Sequence, residues 1–275
     1  MADDIKLSAA SRTNLLALQS TTKLIGRTQA RLSTGLEVNS ALDNASAFFQ
    51  SRSLSNRAND LSQVKDSIDQ SIQTLKSALS GIEGAVKIVE QLKGLGAAAK
   101  NAITSAERSQ LANQAEQLAA QLDNLINDAG YNGVNLIRAT PDNMEINFNE
   151  DSTIELTVAG INMSAANLGA DISAASNNWG TVGDINADMD EYQSALGQLR
   201  TTASTLGSQT TLLQTRLDFL SAMVNTLQEG ADKLTLADTN EEGANLLALQ
   251  TRQQLGINSL SLAAQSEQSV LSLFG

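Results

Sequence analysis

The 275-residue chain contains no cysteine and no histidine. Without cysteine there is no disulfide, no thiolate zinc site and no cysteine nucleophile, and the redox compartment stays open. Without histidine the commonest general base and the commonest metal ligand are gone, so catalysis would fall to carboxylates, Lys, Tyr or Ser. Proline occurs once, and aromatic residues make up 3% of the chain. The 41% of hydrophobic residues are therefore mostly Ala, Leu, Ile and Val, which suit long helices better than a compact mixed fold. Positive charge is also scarce. Against 30 Asp and Glu stand 18 Lys and Arg, a formal charge of -12 with no basic cluster, which argues against a nucleic-acid partner.

The opening MADDIKLSAASR carries acids where a secretory signal carries a basic region, and no continuous apolar run follows. Near the other end the uncharged run 253–266 is too short to span a bilayer and contains Gln, Asn and Ser. Neither a Sec-type leader nor membrane insertion is expected. Yet the last residues read SVLSLFG, with Val270, Leu271, Leu273 and Phe274 large and apolar where chain ends are normally polar. Such a tail is expected to bury itself in protein.

From Leu61 the apolar positions step by threes and fours through Val64, Ile68, Ile72, Leu75, Leu79, Ile82, Val86, Val89, Leu92 and Leu95, which predicts a helix of about 50 Å. The stepping resumes at Leu111, Ala115, Leu118, Leu122 and Leu125, and a second helix should stop at Gly130. In the second half a strict four–three alternation runs from Met189 through Leu196, Leu206, Leu213, Leu217 and Leu220 to Leu234. A seven-residue repeat of that length predicts supercoiling against a partner stripe. The simplest partner is the 61–95 stripe running antiparallel, giving a core of Ile68, Ile72, Leu75, Leu79, Leu206, Leu213, Leu217 and Leu220; the alternative is a homo-oligomeric coiled coil. Between the halves, MEINF at 144–148 and TIELTV at 153–158 alternate apolar and polar residues around NEDS and read as a β-hairpin. The Gly-, Asn-, Ser- and Ala-rich stretch that follows should be irregular surface structure. The fold class is mainly α: an elongated antiparallel helical bundle or coiled coil with a small β-hairpin region and paired terminal helices.

The two ends carry opposite charge, +3 over the first 35 residues and -3 over 236–275. Exposed ion pairs contribute only about 0–1 kcal/mol each, so burial must supply most of any pairing energy. Leu15, Leu18, Ile25 and Leu32 share helical spacing at one end, as do Leu246, Leu249, Leu260, Ala263, Val270 and Phe274 at the other. Leu247, Leu255, Leu262, Leu271 and Leu273 fall elsewhere around the second wheel, and a helix apolar on several faces is a buried helix. One short N-terminal helix cannot cover it; neighbouring copies can.

Several motifs have bland readings that outweigh their functional ones. GDINADMDE at 183–191 spaces Asp184, Asn186, Asp188 and Asp190 like a calcium loop, but Met189 and Ala195 stand where that loop needs Gly and Glu. Acids complementing the dipole of a helix opened by Met189 explain them better. Gly94 and Gly96 follow a helix rather than a strand, so a nucleotide loop is improbable and a break or bend of the long helix is expected. Phe48 and Phe49 are read as packing where the first connector joins the body. DTNEEGANL at 238–246 reads as an N-cap starting the terminal helix. A carboxylate hydrolase built on Asp184 and Glu191 has no pocket-forming sequence around it. No catalytic residue, metal site or cofactor is expected.

Three stretches in order, RLSTGLEVNSALDNASAFFQSRSLSNRANDL at 31–61, YNGVNLI at 131–137 and ADTNEEGANLLALQTRQQLGINSLSLAAQSEQSVLSLFG at 237–275, resemble the terminal regions of bacterial flagellin. The resemblance covers roughly residues 1–138 and 185–275. It implies a self-polymerising structural subunit of the flagellar filament, of the short kind without large outer domains. The implied domains are a terminal helical D0-like one, 1–42 with 236–275, a D1-like rod, 43–140 with 185–235, and a small outer segment, 141–184. D0-like subunit contacts would come from Leu15, Leu18, Ile25, Leu32, Leu246, Leu249, Leu260, Val270, Leu271, Leu273 and Phe274. Also implied are an extracellular location reached through the flagellar type III export apparatus, an export chaperone, and hook-junction and cap proteins as partners. The related alternative is a hook-filament junction protein or another exported coiled-coil structural protein. One departure stands out: Glu90, in KIVEQLKGL, takes the place of a basic residue in flagellins sensed by the animal Toll-like receptor, which argues against such recognition.

Overall fold

The computed structural model describes residues 9–151 and 153–274. Five long helices dominate them: α1 (Ala9–Thr34), α2 (Ala45–Asn101), α3 (Ser105–Asp128), α4 (Val182–Thr235) and α5 (Thr239–Phe274). Two short strands, β1 (Met144–Asn147) and β2 (Glu155–Val158), and a 3-10 turn at Ser176–Trp179 lie between α3 and α4. The chain divides into two compact units, one of residues up to 56 and from 226 onward, the other of residues 57–225.

In the first unit α1 and α5 run antiparallel, with Leu18 against Gly256, Gln253 bonded to Thr22, and Arg31 bonded to Glu242. Gly35 ends α1: its N–H donates to the Arg31 carbonyl at φ 71°, a left-handed cap that only glycine adopts without strain. The chain then pairs with the α4–α5 junction. Leu36 bridges Leu236, Glu37 N–H donates to the Thr235 carbonyl, and Ala237 N–H donates to the Gly35 carbonyl. Asn44 caps α2 by accepting from Ala47 N–H, and Asp238 starts α5 by accepting from the N–H groups of Asn240 and Glu241.

In the second unit α2 and α4 run antiparallel, joined at Glu90–Arg200, Lys93–Gln193 and Gly96–Met189. The intramolecular pairing of the two stripes is thus borne out. Helix α3 packs on α2 where glycines allow close approach: a Cβ on Gly81 would sit 2.5 Å from that of Ala129, and one on Gly84 would sit 2.8 Å from Leu125. The hairpin is also borne out, with Met144 opposite Val158 and Ile146 opposite Leu156. Met144, Ile146 and Val158 face the core.

Four expectations need correction. Gly94 and Gly96 do not break α2, which runs through them to Asn101; buried Gly96 instead makes room for Met189. Helix α4 opens at Val182 rather than Met189, and it is Asp184 that engages its N-terminus, through Thr181 N–H and Oγ1. Residues 159–181 are irregular but not merely surface, because Met163, Ala165, Leu168, Ile172 and Trp179 are buried. Phe48 and Phe49 lie inside α2, edge-to-face at 5.6 Å, and Phe49 stays 63% exposed.

Candidate self-assembly surface

The α1–α5 pair is built from seven-residue spacing. On α1, Ser11, Thr21, Ile25 and Thr28 are buried, with Leu18 and Leu32 half-buried on the same face. Facing them on α5 are buried Glu242 and half-buried Leu246, Leu249, Gln253, Gly256, Leu260 and Ala263. Much of this seam is small or polar. Gly256 lets the helices close, since a Cβ there would meet Leu18 at 3.0 Å. Arg31 Nη1 donates to Glu242 Oε1 at 2.6 Å with both side chains largely buried, a charge-assisted bond that fixes the register.

The pair also leaves large apolar side chains outside. Leu247 is 68% exposed, Leu255 61%, Leu262 66% and Ile257 48%; on α1, Leu16 is 66% exposed and Leu15 39%. Of the expected contact residues, Ile25 is buried, Leu18, Leu32, Leu246, Leu249 and Leu260 are half-buried, and Leu15 is exposed. The side chains of Val270, Leu271, Leu273 and Phe274 lie outside the described residues. Leu16 and Ile257 were not singled out from the sequence. Both stand off the seven-residue stripe, so only a second apolar face on the same helical wheel could have flagged them.

The second unit shows the opposite distribution. Ile68, Ile72, Leu75, Leu206, Leu213 and Leu220 are at most 2% exposed, while Leu79 and Leu217 are half-buried. Four polar devices lock the unit's irregular parts. Thr104 and Glu107 form a reciprocal capping box at the start of α3, and hydrogen bonding from Thr104, with a further bond from the Ile103 N–H, holds the Glu107 carboxyl below its ordinary value. Asn132–Gly133, both at positive φ, turn the chain between Tyr131 and Val134. Buried Asn135 donates to the carbonyls of Ile126 and Asn127 and accepts from Ile137 and Arg138 N–H, so one amide satisfies the end of α3 and the start of the next segment.

The fourth device is the least visible in sequence. Asn177, Asn178 and Trp179 are consecutive left-handed residues, held by Asp188 Oδ2, which accepts from Trp179 Nε1 at 2.7 Å and Ser176 N–H at 2.9 Å. Arg108 clamps the same turn through the carbonyls of Trp179 and Gly180. Burial, then the charges of Asp188 and Asp171, push the Glu191 carboxyl above its ordinary value; burial, then Asp188 and Glu191, push the Tyr192 phenol up. Asp184 is engaged with Thr181 and Asn177, which hold its carboxyl below the usual range. Its partner in the hydrolase reading, Glu191, is a separate half-buried group two turns along. Among the described residues no group of three or more acids is arranged to hold a metal ion, and no helix is long and apolar enough to cross a membrane.

Two family models match the chain. The bacterial flagellin N-terminal helical region matches residues 5–141, and the bacterial flagellin C-terminal helical region matches residues 183–274. The chain belongs to the bacterial flagellin family. It is 31% identical to a flagellin of Brucella melitensis biotype 1 over 98% of each chain, and 28% identical to flagellin FljM of Caulobacter vibrioides over 94% of this chain and 95% of that one. The crystal structure of Bacillus cereus flagellin aligns with 56% of this chain and 88% of its own at a TM-score of 0.48 and 15% identity. This flagellin is a structural subunit of the flagellar filament, an extracellular assembly. The family is one of structural proteins. The two matched regions flank residues 142–182, so the hairpin and the clamped turn at Trp179 are the part that the family models leave to this chain.

Proposed function

We propose that this flagellin polymerises by covering the outward faces of α1 and α5 with those of neighbouring copies. The observation that carries the reading is the row Leu247, Leu255 and Leu262, left in water although α1 already occupies the opposite side of the helix. Fully burying one such side chain stabilises by about 1.5–3 kcal/mol, so a neighbour that covers the row contributes several kcal/mol per subunit. Leu15, Leu18, Ile25, Leu32, Leu246, Leu249, Leu260, Val270, Leu271, Leu273 and Phe274 then form the D0-like layer, residues 1–42 with 236–275. Residues 43–140 with 185–235 form the D1-like rod, cored by Ile68, Ile72, Leu75, Leu79, Leu206, Leu213, Leu217 and Leu220, and residues 141–184 the outer segment. The chain has no catalytic role in this reading. It leaves the cell through the flagellar type III apparatus with an export chaperone, and meets the hook-junction and cap proteins at the filament ends.

The test is seeded growth followed by electron microscopy. Wild-type chain should extend seeds sheared from its own filaments, whereas Leu255→Asp with Leu262→Asp should not, at equal helicity by circular dichroism. Equal extension by the double variant would refute the role of these faces. A wild-type chain that caps seeds without extending them would favour the hook-filament junction reading.

A further inference from the structure

Helix α4 is not uniform along its length. Its first part is locked: Met189 fills the space at Gly96, Asp188 holds Trp179 and Ser176, and Lys93 Nζ donates to Gln193 Oε1. The last ties of this kind are Gln198 Oε1, which accepts from Gly169 N–H, and Arg200, 3.9 Å from Glu90. The next is Arg216, whose guanidinium lies 5.0 Å from the Phe148 ring and 5.9 Å from that of Phe219. Among the described residues, the side chains of 201–215 make no hydrogen bond or ion pair to another element.

The sequence of that stretch, TTASTLGSQTTLLQT, suits a helix poorly. Gly207 has low helix propensity, and a Cβ there would meet nothing, so no close approach requires a glycine. Thr201, Thr205, Thr210, Thr211 and Thr215 each donate Oγ1 to the carbonyl four residues back at 2.8–3.1 Å, a pattern that weakens and bends helices. The seam beneath is half polar. Leu199, Leu206, Leu213 and Leu220 are buried at one set of seven-residue positions, but the other set reads Thr202, Gln209 and Arg216. Gln209 Oε1 is buried with no hydrogen-bond partner. An orphan acceptor penalises the packed state and is relieved once water reaches it, so it lowers the free energy of opening.

We propose that residues 201–215 are a hinge built into α4, which opens locally and bends about Gly207 while the parts on either side keep their contacts. Running antiparallel from the Glu90–Arg200 contact, α2 lies opposite with Ile72, Leu75, Ala78 and Ile82 at most 1% exposed. One helix of the pair holds the rod while the other yields. Such a hinge lets the rod change curvature without unpacking either end. The inference concerns the folded monomer and does not rest on the polymer reading above.

Native-state hydrogen exchange of the full chain, read in verified monomer and corrected for intrinsic rates, tests it. Amides of 205–213 should exchange at least about 30-fold faster than those of 188–196 and 218–224 in the same helix. Gly207→Ala with Gln209→Leu removes the unpacked glycine and the orphan oxygen, and should slow 205–213 at least about 10-fold, bringing the three stretches together. Gly207→Ala alone adds a methyl in open space and guards the test should Leu at 209 overpack. It should slow the same amides about fivefold, the rate equivalent of the propensity difference between Gly and Ala. Uniform exchange along α4 in wild-type chain overturns the proposal. So does a folded Gly207→Ala chain whose 205–213 amides exchange as fast as before.

Discussion

Replacing Asp188 separates two things that one carboxylate does in this flagellin: it accepts hydrogen bonds and it carries charge. Asp188→Ala leaves the indole N–H of wholly buried Trp179 and the Ser176 N–H without their acceptor. Each unsatisfied buried donor costs about 1–3 kcal/mol, and Ala regains roughly 0.6 kcal/mol of helix propensity inside α4. The balance is a loss of about 3 kcal/mol, before counting relaxation of the three left-handed residues that the carboxylate holds. Asp188→Asn should behave differently. Both donors converge on Oδ2, while Oδ1 is buried with no partner, so an amide oxygen can keep both bonds. It also removes a negative charge from beside Glu191. The expected loss is about 1 kcal/mol or less, the remaining term being the poorly solvated amide N–H₂.

Trp179 is the one tryptophan in the chain, so its fluorescence during thermal unfolding reports this unit directly. At about 2–4 °C per kcal/mol, Asp188→Ala should lower the midpoint by roughly 6–12 °C and Asp188→Asn by no more than about 4 °C. Equal losses would mean that charge, not acceptor capacity, holds the turn. A loss under about 1 kcal/mol for Ala would mean that Arg108 holds it alone.

Two neighbouring glycines should respond with opposite sign. Gly94→Ala has open space and should stabilise by about 0.5–1 kcal/mol, whereas Gly96→Val drives a Cβ to within 2.6 Å of Met189 Sδ and should destabilise by about 1–3 kcal/mol, both read by urea denaturation. Glu191 gives a pH signature: its folded-state pKa is raised above 4.5, so the folded state holds its proton more tightly, and stability falls as pH rises from about 4.5 through the folded value. Glu191→Gln should remove that fall in denaturation series from pH 4 to 7. The lowered carboxyls of Asp43, Glu107, Asp142 and Asp184 act the other way, contributing stability above their unfolded values that is lost as pH drops through the folded ones.

Periodicity carried most of the fold because the helices are long and their stripes meet other stripes. The hairpin was legible for the same reason at period two. What escaped depends on distant partners. Gly96 looks like a breaker until Met189 is known to need its space, and Met189 lies 93 positions away. Asp188 looks like a helix-start acid, but α4 begins six residues earlier, and no local pattern announces that an indole N–H reaches it from a left-handed turn. The capping box at Thr104–Glu107 did carry a local signature, the spacing of Thr and Glu three apart before an apolar run. Of the assembly surface, the apolar excess of α5 was legible; which leucines remain outward was not, because that depends on where Gly256 lets α1 approach.

The two units spend their apolar side chains in opposite ways, and their dynamics should differ accordingly. In α2 the core positions 68, 72, 75, 82, 89 and 92 are at most 1% exposed, and glycines draw α3 and α4 into contact. In α5 the side chains turned toward α1 are only half-buried over 246–263, and Leu247, Leu255 and Leu262 face solvent. A helix whose packing is that thin opens locally at a free energy well below that of the core. In verified monomer, amides of 246–262 should therefore exchange at least about 100-fold faster than those of 68–92, a gap of about 2.7 kcal/mol in opening free energy. In filaments the gap should close, because neighbours supply the burial that α1 alone does not. Protection of 246–262 that already matches the core in monomer would show that α1 suffices, and the outward leucines would then need another explanation.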